Sequence, residues 1–131
     1  VKKHEIPKLQ KFLRKAFGNA ELLVTADPKN PDSAIVALGE RRLGSIVVDD
    51  EDGDRSFSMD IKLPVERAAL QPYLRLLFEN EALRLVARGK KVDSVELNNG
   101  DEFLGIISAD DAKLKSFTFQ MAILDLDLED L

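Results

Sequence analysis

The sequence predicts an α+β fold in which one unit is written twice: a helix and a four-stranded antiparallel meander, then the same again (αββββ-αββββ), with pseudo-two-fold symmetry between the copies. Three observations predict it. Residues 5–63 and 66–123 match one another in order, each copy opens with an apolar stripe of helical period, and four alternating segments broken by turn residues follow each stripe. Residues 1–64 form the first repeat and residues 65–131 the second with an acidic tail strand, the two making one compact pseudo-dimer. Units of about 60 residues bury too little surface to be robust alone, whereas about 130 residues close a substantial core.

The repeat is legible letter by letter. Leu9-Gln10 falls on Leu70-Gln71, and at the same offset of 61 Leu13-Arg14 meets Leu74-Arg75, Phe17 meets Phe78 and Asn19 meets Asn80. Gly39, Leu43-Gly44 and Asp49-Asp50 fall on Gly100, Leu104-Gly105 and Asp110-Asp111. After one deletion the offset becomes 60, and Ser56-Phe57 meets Ser116-Phe117.

In the first copy Ile6, Leu9, Phe12, Leu13, Ala16 and Phe17 form one helical face; Leu70, Tyr73, Leu74, Leu77 and Phe78 repeat it. Pro7 and Pro72 suit a first helical turn, so the second helix is expected to begin near Ala68. Asn19 and Asn80, just past the last apolar residue, are expected to take the left-handed position that ends a helix. Leu22-Val24-Ala26 and Leu83-Leu85-Ala87 then alternate as half-buried strands do, followed by Ala34-Val36-Leu38 and Val95-Leu97. Asn98-Asn99-Gly100-Asp101 reads as a tight hairpin, mirrored by Gly39-Glu40. Third strands cover 42–48 and 103–109, where Gly44 and Gly105 predict a bulge or a close backbone approach. Last strands are Phe57–Leu63 and Phe117–Ile123. Beyond Ile123 the apolar phase slips to Leu124, Leu126 and Leu128 with acids between. That slip predicts an extra strand crossing onto the other half or onto a second molecule.

Composition excludes whole classes. With 44% hydrophobic and 33% charged residues the chain is globular, and no apolar run approaches the roughly 20 residues of a membrane-spanning helix. Val1-Lys2-Lys3-His4-Glu5 enters an amphipathic helix directly without the apolar core of a signal peptide, and the cytoplasm is the default compartment. The absence of cysteine removes disulfides and thiolate chemistry and by itself fits either side of a membrane. Residues 1–64 carry 11 basic and 11 acidic side chains and residues 65–131 carry 8 and 13, so the second half supplies the net −5. The base-rich opening helix and the acid-rich tail read first as solvated surface charge, with attraction of the two termini across the fold as the sharper second reading.

No residue set predicts catalysis. His4 has no partners at ligand spacing, the serines lack a positioned base, and the glycines suit hairpins rather than a phosphate cradle, so the chain is read as no enzyme and as needing no cofactor. The run from Asp49 to Asp54 offers Asp49, Asp50, Asp52 and Asp54 as weak candidates for a calcium or magnesium site. Its spacing fails the calcium-loop pattern, because counting from Gly53 places the first ligand on Val48 and the last on Met59. A solvated connection between strands is the better reading.

The leading functional reading is therefore a non-catalytic cytoplasmic binding or scaffold module acting through protein–protein contact or self-association. Candidate contact residues are Lys8, Lys11, Arg14 and Lys15 on the outer side of the first helix, and Leu126 and Leu128 in the tail. The alternative is single-stranded nucleic-acid binding by that basic helix and the sheet, as in the purine-rich-element-binding and whirly-type proteins, whose paired sheet-and-helix repeats this layout resembles. A pI near 4.9 and aromatics that read as core disfavour it.

The strings KLQKFLRKAFGN and DDEDGDRSF, and then GDEFLGII and FTFQMAILDLDLED, resemble a small uncharacterised alphaproteobacterial family, domain of unknown function 3126. The resemblance implies single-unit relatives about half as long, ending in a motif like Phe119 to Asp130, and supports the unit boundaries. This chain departs from it by carrying two units and by replacing that motif with Ser58-Met59-Asp60-Ile61-Lys62-Leu63 in the first. The resemblance brings no activity, ligand or catalytic residue.

Overall fold

The computed structural model describes residues 1–50 and 55–129. Helix α1 (Glu5–Phe17) leads into strands β1 (Leu22–Ala26), β2 (Ser33–Leu38), β3 (Arg41–Asp49) and β4 (Ser56–Leu63). A 3-10 turn at Arg67–Ala69 opens the second series: α2 (Leu70–Phe78), β5 (Leu83–Ala87), β6 (Ser94–Asn99), β7 (Glu102–Ala109) and β8 (Phe117–Leu124). A short helix α3 (Asp125–Glu129) follows. All eight strands lie in one antiparallel sheet of order β1-β2-β3-β4-β8-β7-β6-β5. Each meander would otherwise end on a bare last strand; pairing β4 with β8 removes both unpaired edges at once.

The seam between the halves runs from Ser56 opposite Leu124 to Leu63 opposite Phe117. Asp60 faces Gln120, the residue that occupies its own place in the second copy. On either side Phe57, Met59, Ile61 and Leu63 alternate inward with Phe117, Phe119, Met121 and Ile123, all buried. Period-two alternation on both strands makes this register the one that buries every apolar side chain, since a one-residue slip would turn each set outward.

Both long helices pack on that buried face. Phe17 stacks on Phe78 with ring centroids 4.5 Å apart, and Phe119 of β8 meets Phe17 edge-on at 5.8 Å. Pro7 and Pro72 are each the third residue of their helix, where a missing N–H costs nothing. The expected caps are corrected: Gly18 and Glu79, not the asparagines, take the left-handed conformation, at φ 63° and 51°. The asparagines cap the opposite helix instead. Asn19 Nδ2 donates to Phe78 O and Asn80 Nδ2 to Phe17 O, each at 2.9 Å, so each unit closes the other's open helix end.

Other matched letters have matched duties. Gln10 accepts from the Val24 N–H and Gln71 from the Leu85 N–H, both at 3.0 Å. Arg14 Nε donates to Leu22 O and Arg75 Nε to Leu83 O, both at 2.7 Å. Each helix thereby covers part of the outer edge of its own first strand, an edge that would otherwise template aggregation. The predicted close approach at the shared glycines is present: a Cβ on Gly44 would stand 1.8 Å from Asp60 O, and one on Gly105 2.3 Å from Gln120 O. Leu43 and Leu104, beside them, are the extra residues of two bulges and turn into the core.

The tail is also corrected. The phase slip after Ile123 starts a helical turn rather than a strand, with the Leu124 N–H donating to Asp127 Oδ2 at 2.9 Å as in a capping box. Helix α3 folds back onto α1, which belongs to the first half.

Candidate functional site

The basic helix does not present all its cations. Lys8, Lys11 and Lys15 are exposed, but Arg14 is half-buried and held by Leu22 O, a structural contact that its twin Arg75 duplicates. In the tail Leu128 is only 4% exposed, against 65% for Leu126. Leu128 and Glu129 lie beside Pro7, Lys8 and Lys11, so the acidic tail and the basic helix come together. Of the acidic candidates, Asp50 lies 3.6 Å from Arg55 and Asp49 is the last residue of β3, while Asp52 and Asp54 lie outside the described residues. Among the described residues no group of three or more potential ligands is placed to hold a metal ion.

Two polar clusters stand out, and both join elements together. Glu5, in the first turn of α1, accepts from Arg55 Nε at 2.6 Å, from Arg55 Nη2 at 2.8 Å and from the Lys2 N–H at 2.7 Å. The Arg55 hydrogen bonds hold the Glu5 carboxyl down to about 2 despite its burial, and Glu5 in turn raises Arg55. Across the seam, Thr118 donates to Asp110 at 2.6 Å, Ser116 donates to the same carboxylate at 2.8 Å, and Lys62 donates to Thr118 at 2.9 Å. The Thr118 hydrogen bond, helped by Ser116 and Lys62, lowers the Asp110 pKa. A carboxylate so stabilised is a poor base, so this hydroxyl is positioned rather than activated.

Apolar surface gathers elsewhere. Between α1, β7 and β8 lies an open groove of about 530 Å³, floored by Phe12, Leu104 and Met121 and edged by Phe103, Glu102 and Asp127. It exists because β7 and β8 part company: their ladder ends at Ile106–Gln120, whereas β3 and β4 continue one pair further, to Gly44–Ile61. Phe103 is 54% exposed there, and Lys15 stands at the α1 side. Sequence reasoning placed Phe103 in a strand and assigned it to the core. The signal available was a mismatch in the repeat, since Arg41-Arg42 in the first copy becomes Glu102-Phe103 in the second.

The fold and this groove define a duplicated α+β protein with a fused sheet, whose surface features lie where the copies differ. Residues 5–65 and 66–127 each match the family described as Protein of unknown function (DUF3126), and the chain belongs to that family as a tandem duplicate. No curated protein and no solved structure matches it. Among the described residues, no helix is long and apolar enough to cross a membrane.

Proposed function

We propose that the chain is a non-catalytic binding or scaffold module of the cytoplasm, acting through protein–protein interaction. Two αββββ units related by a pseudo-two-fold axis through the Asp60–Gln120 pair supply a rigid frame, and the differences between them supply the binding surface. One observation carries this reading. The polar side chains shared by both copies are committed to holding helices on strands and on each other, whereas most of the exposed large apolar side chains stand in the second copy: Leu76, Val92, Phe103, Leu124 and Leu126, against Leu23 and Val47 in the first. Phe103 occupies the place held by Arg42 in the first, and Leu124 and Leu126 lie in the tail beyond the matched span 66–123. A contiguous apolar patch exposed on a protein surface marks an interaction site.

Affinity capture from native lysate with the full chain, beside Phe103→Glu and Leu126→Glu variants of unchanged melting temperature, tests the reading. A protein retained by the wild type and lost with the variants is expected; equal retention by all three would refute it. Nucleic-acid binding is the weaker alternative, because Arg14 is turned inward and Leu128 and Glu129 lie along Lys8 and Lys11. Salt-sensitive binding of single-stranded DNA, lost in Lys11→Glu with Lys15→Glu, would replace the first reading.

A further inference from the structure

The two copies build the same niche twice, and only one is filled. In the first, Arg41 at the start of β3 reaches the second unit's helix, where its guanidinium lies 5.9 Å from the ring centroid of Tyr73 and Nη2 donates to the Tyr73 hydroxyl at 2.7 Å. An internal cation thus sits on an aromatic ring of the partner unit. Applying the repeat offset of 61 gives the second niche, in which Tyr73 becomes Phe12 and Arg41 becomes Glu102. Here the ring has neither hydroxyl nor cation, and the residue that would have supplied the cation carries the opposite charge. Among the described residues the Glu102 side chain makes no hydrogen bond or ion pair, and it lines the same groove as Phe12 and Asp127. The adjoining wall is apolar, with Phe103 exposed where the first copy has Arg42.

We propose that this groove receives an arginine from an extended segment of another protein. The guanidinium rests on Phe12 between the Glu102 and Asp127 carboxylates, and a neighbouring apolar side chain covers Phe103 and Met121. Charge complementarity selects the occupant: two carboxylates outweigh Lys15 at the rim, in a chain of net charge −5. The filled niche shows that the geometry accepts a guanidinium, whose planar face suits an aromatic ring. The proposal rests on the protein-binding reading and names the chemistry of its partner.

The test is amide NMR of the isotope-labelled full chain, titrated with the blocked peptide Leu-Arg-Phe and with its citrulline counterpart, which keeps the shape and loses the charge. Shifts confined to the residues around Phe12, Phe103 and Met121 are expected, with roughly tenfold weaker binding of the citrulline peptide. Phe12→Tyr with Glu102→Arg rebuilds the filled niche in the empty place and is expected to abolish the shifts without lowering the melting temperature. The reverse pair, Tyr73→Phe with Arg41→Glu, is expected to open a second site with shifts around Arg42. Equal binding of both peptides, or undiminished binding by the rebuilt niche, would overturn the proposal. So would groove resonances that move on dilution without peptide, which would mean that a second copy is the occupant. If the rebuilt niche still retains the same lysate protein while no peptide binds, the groove assignment fails and the module reading survives.

Discussion

Replacing Glu5 by glutamine should remove most of what its ion pair contributes to stability, and only at pH values where the carboxylate is charged. The side chain is 4% exposed and receives three hydrogen bonds, two of them from Arg55. Its pKa falls from the usual 4.5 to about 2. At roughly 1.36 kcal/mol per pH unit that fall corresponds to about 3 kcal/mol at most. Because the folded value lies below the unfolded one, the unfolded chain binds the proton first as the solution is acidified. The contribution is therefore complete above pH 4.5 and is lost as the pH falls toward 2. Urea unfolding followed by circular dichroism should show Glu5→Gln less stable than wild type by about 2–3 kcal/mol at pH 7, with the gap closing steadily below pH 4.5. Taking the difference between two proteins cancels every other titrating group. The repeat adds an internal control: Glu66 and Lys115 stand in the equivalent places, both exposed, and Glu66→Gln should change stability by less than about 0.5 kcal/mol. A gap that persists unchanged to pH 2 would show that the glutamine disturbs packing rather than charge.

Other substitutions test the joints of the fold. Gly44→Ala should cost about 3 kcal/mol or more in a denaturant titration, because its methyl would overlap the Asp60 carbonyl of the neighbouring strand. Glu79→Gly should raise stability by about 1 kcal/mol, since Glu79 holds a left-handed conformation that a side chain disfavours. Leu128→Ala should lower the melting temperature in proportion to a loss of about 2 kcal/mol, while Leu126→Ala, an exposed neighbour on the same helix, should leave it unchanged.

Much of the fold could be read directly because its periods are clean. The helical stripe through Leu9, Leu13 and Phe17 and the alternation along Phe57–Leu63 and Phe117–Ile123 each bury one face, so pattern and packing agree. What escaped were contacts with no local signature. Asn19 looked like the cap of its own helix, yet its partner Phe78 lies 59 residues away, and only the docking of the two units brings them together. The tail misled because Leu124, Leu126 and Leu128 alternate like a strand, while Asp125 and Asp127, acids suited to a first helical turn, carried the truer signal. The groove was hidden for a different reason: Phe103 is apolar and was assigned inward by composition, but the bulge at Leu104 turns it out.

The seam has a consequence for how the protein responds to its own concentration. Every other ladder in the sheet joins strands consecutive in the chain, whereas β4 and β8 meet across some sixty residues, and the two units that carry them are joined by the short connection 64–69. Two such units on separate chains would find each other by collision and come apart on dilution. Joined by so short a tether, each sees the other at an effective concentration on the order of millimolar, set by the linker rather than by expression level. Pairing of the two halves is therefore independent of expression level, and the two surfaces can differ while the shared seam holds.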